Sequence, residues 1–302
     1  MQGLLACRAW SEVGGPTKSA FTQLAANKNR FLIVKCPSRT YAASASQVNL
    51  SVKETSDQAR GGLPRFFIER LPLCKGQSVR LDGNELWHMA RALRMKEGNR
   101  LELFDGKGGL ALCTIEHLGK DGASLQAEEE PVRVPPPLCN WEVVVACGSL
   151  KGGRADWLVE KCTELGASAL QPLLTERSPS VGERIERWER VTLAATKQCQ
   201  RLHGMAVREP LPIQRLLPTV ASNWAYLATA GAGPLLESYR ATPPPLKGGL
   251  LLVGPEGDFT EGELASLQSA GAVPVGLGPR RLRVETAAIA MLSALQMAGD
   301  TV

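Results

Sequence analysis

Leu250-Leu251-Leu252-Val253-Gly254-Pro255-Glu256-Gly257 is an apolar run that ends abruptly in a proline-glycine turn. Such a run, closed by turn residues, reads as a strand. The residues after it support that reading. Thr260 and Glu263 have the spacing of a capping box, and Gly271 closes the helix that the box opens. Four more runs have strand character, at 142–147, 169–174, 224–229 and 273–277, and helical patterns separate them. This alternation predicts a parallel α/β sheet.

Working outward, Trp157, Leu158, Cys162 and Leu165 recur at helical spacing ahead of Gly166, a C-terminal cap. Ile185, Trp188, Val191, Thr192, Ala195 and Cys199 form a second apolar stripe, whose default role is core packing. Toward the amino terminus, Pro135-Pro136-Pro137 extends neither a sheet nor a helix, which separates a domain at 61–134 from one at 138–302. The earlier domain reads as a strand from Leu63, a short helix at 85–93, a strand at 100–104, a turn at 105–109, and strands flanking Gly119-Lys120-Asp121-Gly122. Short strands between tight glycine turns predict a small barrel.

At 302 residues and 44% hydrophobic content, the chain has material for about two domains with a sizeable core. A net charge of +5 favours acidic partners such as nucleic acid. The eight cysteines include no CxxC pair, which excludes zinc-finger and thioredoxin-like chemistry and leaves them as small buried hydrophobes. His88, His117 and His203 show no HExxH spacing, so no metal site is expected. No stretch approaches the roughly 20 apolar residues of a membrane span. A soluble protein with no membrane partner is the expectation.

Between Met1 and Lys53 the only acidic residue is Glu12, against seven basic ones, among many Ser, Thr and Ala residues. Residues 1–60 therefore read as an organelle transit peptide, with a disordered basic tail that contacts RNA as the alternative. Arg39-Thr40-Tyr41 ahead of Ala42 resembles a mitochondrial processing site, while the composition suits a chloroplast equally.

Chemistry concentrates at two turns. Ligands of open α/β sheets bind beyond the carboxyl ends of strands, and the glycines of Gly254-Pro255-Glu256-Gly257 let backbone approach a flat ring closely. Alone, that turn also fits an ordinary β-turn. Gly276-Leu277-Gly278-Pro279-Arg280-Arg281-Leu282-Arg283-Val284-Glu285-Thr286 again follows a strand, leads into a helical run at 287–297, and crowds three arginines at one strand end. Neither turn is a P-loop or a GxGxxG fingerprint.

In this order, the two turns are similar to the RsmE family of SPOUT methyltransferases, which methylate N3 of a uridine in small-subunit (16S-type) ribosomal RNA. The resemblance runs from Leu63 to Val302. It includes Leu63-Pro64-Arg65-Phe66-Phe67, His88-Met89-Ala90-Arg91-Ala92-Leu93-Arg94-Met95, Leu103-Phe104-Asp105-Gly106, Lys161-Cys162-Thr163-Glu164-Leu165-Gly166 and Glu176-Arg177-Ser178. It implies a PUA-like RNA-binding barrel, then an α/β SPOUT domain tied in a deep trefoil knot, acting as a homodimer with its active site at the subunit interface. It also implies S-adenosylmethionine as cofactor, wrapped by Thr229, Gly254, Glu256, Gly257, Leu277, Gly278, Leu282 and Thr286. Gly257 and Gly278 are the positions expected to tolerate a side chain least.

Methylation at N3 must remove a proton and develop negative charge on the uracil ring, which a cation stabilises. Arg283 is the candidate for that role and Arg280 its assistant; neither can act as the base, since arginine stays protonated. Glu285 or water is left open as proton acceptor. Lys151, Arg154, Arg177, Lys197 and Arg201 lie at element ends and are candidates for RNA phosphate, or plain surface charges. The chain departs from the family at three places. Asp258 stands where glycine is common and Val284 where threonine is, and Lys197-Gln198-Cys199-Gln200-Arg201 replaces a segment closer to Glu-Gln-Ser-Gly-Arg. Two other readings are a catalytically silent ribosome-assembly factor and a SPOUT enzyme acting on transfer RNA.

Overall fold

A computed structural model describes residues 62–137, 140–148, 150, 153–182, 184–244 and 248–299. The transit-peptide reading and Lys151 lie outside these residues. The first sheet comprises β1 (Arg65–Phe67), β2 (Ser78–Leu81), β3 (Arg100–Phe104), β4 (Gly109–Leu118), β5 (Ala123–Ala127) and β6 (Val132–Arg133). They pair in the order β1-β3-β4-β5-β2, with β6 on β4. Among the described residues, the edge strands β1 and β2 do not pair with each other. Helix α1 (Gly83–Trp87) continues as one π-helical stretch, His88–Ala92. Met89 from that stretch packs with Phe66, Leu101, Leu103, Ile115 and Leu125, which alternate along their strands as one buried face requires.

The second sheet is parallel throughout, as the alternating pattern predicts: β7 (Asn140–Val145), β8 (Ala169–Leu174), β9 (Ala206–Val207), β10 (Leu211–Pro212), β11 (Ala225–Ala228), β12 (Gly248–Val253) and β13 (Val273–Val275). Strand order is β10-β8-β7-β12-β11-β13, with β9 on β8. Both faces are buried. Leu251 and Val253 join Trp141, Leu158, Trp188 and Leu292 on one side, and Leu250 and Leu252 join Leu173, Leu216 and Leu267 on the other. That is why β12 is apolar at every position rather than at alternate ones.

Helices α2 (Arg154–Glu164), α3 (Ile185–Cys199) and α7 (Val284–Gly299) cover the first face, while α4 (Ile213–Ser222) and α6 (Glu261–Ser269) cover the second; α5 (Leu235–Ala241) follows β11. Thr260 and Glu263 form both bonds of the capping box at the start of α6. Trp157 departs from its expected place in the α2 stripe and is 47% exposed, because the buried face of that helix runs through Ala155, Leu158, Val159 and Cys162. Burial pushes the thiols of Cys113, Cys147 and Cys162 up to about 12, so these cysteines are core residues and not nucleophiles. No helix among the described residues is long and apolar enough to cross a membrane.

Two family-like motifs build the seam between the sheets. Arg65, buried, donates through Nε and Nη2 to Glu102 Oε2 at 2.9 and 2.7 Å, and through Nη1 to the Gln200 carbonyl at 3.1 Å. The Asp105–Gly109 turn clasps the segment after α3, with Gly108 N donating to Leu202 O and Gly204 N to Gly106 O, both at 2.8 Å. Gln200 caps α3 at φ +56°, the left-handed region that favours glycine. A non-glycine side chain there costs about 1 kcal/mol. Gln200→Gly is therefore expected to raise stability by roughly 0.5–1 kcal/mol, read as a higher urea midpoint; an unchanged or lower midpoint contradicts this.

Candidate functional site

Strands β11, β12 and β13 are neighbours, so their carboxyl ends deliver three loops, the first, middle and third in chain order, to one place. The first loop and the third are stitched by backbone. Thr229 N donates to Val275 O at 2.9 Å, Gly276 N to Gly233 O at 2.7 Å, and Leu235 N to Gly276 O at 3.1 Å. A Cβ on Gly276 would run into the Ala232 carbonyl oxygen, so the stitch requires glycine. The site-residue reading of the sequence passed over this position. Its importance depends on which loop lies beside it, and that is set by sheet order rather than by local pattern.

The remaining glycines divide by cause. Gly278 adopts φ +103°, which L side chains rarely take, and space around it is open. Gly257 has no such backbone demand; a Cβ there would sit 3.2 Å from Arg177 Cδ, and one on Gly254 would sit 2.9 Å from Phe259 Cδ2. Leu277 and Leu282 are half-buried against the large core cluster, as apolar walls would be. Among the described residues, the amides of Leu277, Gly278 and Leu282 donate to no group in the chain. Thr229 directs Oγ1 to the Leu227 carbonyl at 3.1 Å, and Thr286 is exposed on the first turn of α7.

The middle loop is held from outside. Arg177 Nη1 donates to the Gly257 carbonyl, to Asp258 O at 3.2 Å and to Phe259 O at 3.5 Å. Next to it, Glu176 N donates to Glu263 Oε1 at 2.9 Å, while Glu263 Oε2 accepts from Thr260 N at 2.9 Å. Glu176-Arg177-Ser178 thus serves as a clamp on the turn. Asp258 stands at φ +67°, so the residue that replaces the family's common glycine keeps the glycine-like backbone. Asp tolerates that region better than most residues, and Asp258 Oδ1 accepts from Phe259 N at 2.8 Å.

Charges sort into committed and free. Arg154 bridges two carboxylates, with Nη1 2.8 Å from Glu256 Oε1 and 3.6 Å from Glu285 Oε1. The Glu256 hydrogen bond raises the Arg154 pKa further above its already high ordinary value. Arg281 donates to the Glu256 carbonyl at 2.9 Å, joining the third loop to the middle one. Glu285 is only 5% exposed, and its Oε2 has no hydrogen-bond partner. By contrast, Arg280 and Arg283 are exposed, and among the described residues their guanidiniums make no hydrogen bond or ion pair.

The residues proposed for phosphate contact lie in several places. Arg201 donates to the Thr163 carbonyl at 2.7 Å. Lys197 stands 4.5 Å above the Phe67 ring and 3.8 Å from Glu85. Arg154 and Arg177 are engaged at the loops. No cluster of metal ligands occurs among the described residues. What the loops offer instead is a cradle of glycine backbone with unspent amides, two leucine walls and a carboxylate group nearby. Those features fit an adenosyl group with a cationic amino-acid arm.

Residues 137–296 match the family model for an RNA methyltransferase domain, and residues 81–128 match that for an RNA methyltransferase PUA domain. Ribosomal RNA small subunit methyltransferase E of Bacillus subtilis is 30% identical over 250 residues, covering 77% of this chain and 96% of that protein. Its counterpart in Mycobacterium tuberculosis is 33% identical over 257 residues, covering 76% and 90%. The crystal structure of a ribosomal RNA small subunit methyltransferase E from Neisseria gonorrhoeae, bound to S-adenosyl methionine, is similar with a TM-score of 0.63. That similarity has 28% identity and covers 78% of this chain and 98% of that one.

If the clamp shapes the cradle, Arg177→Ala weakens S-adenosylmethionine binding about tenfold, roughly 1.4 kcal/mol, in a calorimetric titration, with the thermal midpoint little changed. Wild-type affinity in a folded variant contradicts the clamp.

Proposed function

The chain belongs to the ribosomal RNA small subunit methyltransferase E family, and from that membership we propose that it transfers a methyl group from S-adenosylmethionine to N3 of a uridine in small-subunit ribosomal RNA. The observation that carries this reading is the closure of three strand-end loops on a glycine backbone beside two uncommitted arginines, Arg280 and Arg283.

The bound cofactor supplies a methyl group already activated by its sulfonium. The chain's work is orientation. Amides of Leu277, Gly278 and Leu282 are placed to hold the adenine edge, Leu277 and Leu282 to flank the ring, and the Arg154-bridged carboxylates Glu256 and Glu285 to favour a cation nearby. Arg283 lies one residue before α7 and carries a free guanidinium, so it is suited to meet negative charge growing on the uracil ring, with Arg280 on the same loop. Glu285 we assign to positioning rather than to proton removal, because the residue is buried, its Oε2 is shielded from water and its Oε1 faces Arg154.

The chain's partner is small-subunit ribosomal RNA, gripped by the first domain and met in a 30S-type particle. A homodimer is supported by two exposed apolar residues, Trp157 on α2 at 47% and Met297 on α7 at 65%, carried by helices that pack together. The basic, acid-poor first 60 residues favour action inside an organelle, chloroplast or mitochondrion.

Nucleoside mass spectrometry of small-subunit ribosomal RNA from cells with and without the gene tests the substrate. N3-methyluridine is expected to vanish without it, and an unchanged level refutes the assignment. Arg283→Ala is expected to lower kcat at least about 100-fold while cofactor affinity and folding hold. A near-normal rate removes Arg283 from the mechanism.

A further inference from the structure

A cavity of about 430 Å³ lies at the seam between the two sheets, among Phe67, Gly106, Lys107, Thr192, Thr196 and Met205. That is within the range of small-ligand sites, roughly 300–1,000 Å³. None of its lining residues belongs to the three loops described above. Its walls are fixed, because the Gly106–Gly108 backbone and the 202–204 segment bond each other directly. Asp105, also in the wall, spends Oδ1 on Lys107 N and Gly109 N at 2.7 and 2.8 Å.

Two polar side chains in the wall of this cavity are unexplained by the fold. Thr192 and Thr196, one turn apart on α3, are 6% and 2% exposed, and neither hydroxyl makes a hydrogen bond. Helical threonines normally return the hydroxyl to the preceding turn, so a buried pair that does not is a cost without a structural return. Both hydroxyl oxygens are shielded as the side chains stand, and rotation about χ1, which exchanges hydroxyl with methyl, turns oxygen toward a bound group.

The surroundings indicate what that group is. Phe67, Met205 and Val207 give an apolar lining and Lys107 is exposed at the rim, while Lys197, 4.5 Å from the Phe67 ring and 3.8 Å from Glu85, lies outside the lining. Arg133 reaches the same turn, donating to the Lys107 carbonyl at 2.9 Å. Glu189 is the opposing exposed charge at the rim. Apolar walls, hydroxyls that donate or accept, and cations outside suit a splayed nucleobase with its phosphate held at the mouth.

We propose that this seam cavity receives an unpaired nucleotide of the substrate RNA, outside the methylation site, with Thr192 and Thr196 bonding the base edge. The proposal rests on the RNA-methyltransferase reading and extends it. It gives the Leu103-Phe104-Asp105-Gly106 motif and the end of α3 a shared purpose, since together they form the receptor. Register on the RNA would then be set at a second point, where both domains touch the strand.

The test is the double variant Thr192→Val/Thr196→Val, which keeps shape and removes both hydroxyls. In a methyl-transfer assay on unmodified small-subunit ribosomal RNA, KM for RNA is expected to rise about tenfold, with kcat and calorimetric affinity for S-adenosylmethionine unchanged. Its thermal midpoint is expected to stay or increase, because the empty chain loses two unpaired buried groups. An unchanged KM, with or without a lower midpoint, overturns the proposal and leaves the hydroxyls to the fold. If the double variant does not fold, Ala206→Trp at the exposed lining position carries the same KM prediction and the same refutation. A wild-type chain that neither binds cofactor nor methylates RNA counts first against the function itself. An active chain indifferent to these changes counts against the cavity alone.

Discussion

The backbone at Gly276 touches the backbone after β11, and the site exists because nothing larger than hydrogen stands between them. Two hydrogen bonds of Gly276 and one of Thr229 draw the third loop onto the first. With that pair fixed, Arg281 reaches the Glu256 carbonyl and brings in the middle loop. A parallel sheet places strand ends side by side but does not make their loops converge; contact at a residue without a side chain does that here.

Arginine supplies the other half of the architecture. Arg177 collects the carbonyls of the middle loop, Arg201 takes the Thr163 carbonyl at the end of α2, and Arg65 takes the Gln200 carbonyl at the end of α3. Each brings a donor to carbonyl oxygens at a loop or a helix end, and the planar guanidinium with several fixed donors is suited to that work. The positive charges left for substrate are therefore fewer than composition suggests. Arg280 and Arg283 stand out because the fold makes no use of them.

Much of the fold was legible because burial leaves a periodic trace. The continuous apolar run of β12, the stripes of α2 and α3 and the capping box of α6 each correspond to elements with those bounds or nearly so. Trp157 lies off the buried stripe that its spacing suggests, since spacing alone does not tell the edge of a stripe from its centre. The site was less legible. Gly254, Gly257 and Gly278 carry local turn signals, whereas Gly276 matters through a neighbour more than forty residues away in sequence. Arg177 and Arg201 carry no sign distinguishing a phosphate ligand from a carbonyl clamp. Gln200 and Asp258 hide positive φ angles behind residue types that do not advertise them.

Three separate strand-end loops are proposed to act as one receptor for the methyl donor. Hydrogen–deuterium exchange on the full chain, with and without S-adenosylmethionine, addresses it without any substitution. Slowed exchange should appear together at residues 229–235, 254–259 and 276–283. Protection absent from those segments, or confined to another part of the molecule while the donor is bound, would contradict the account.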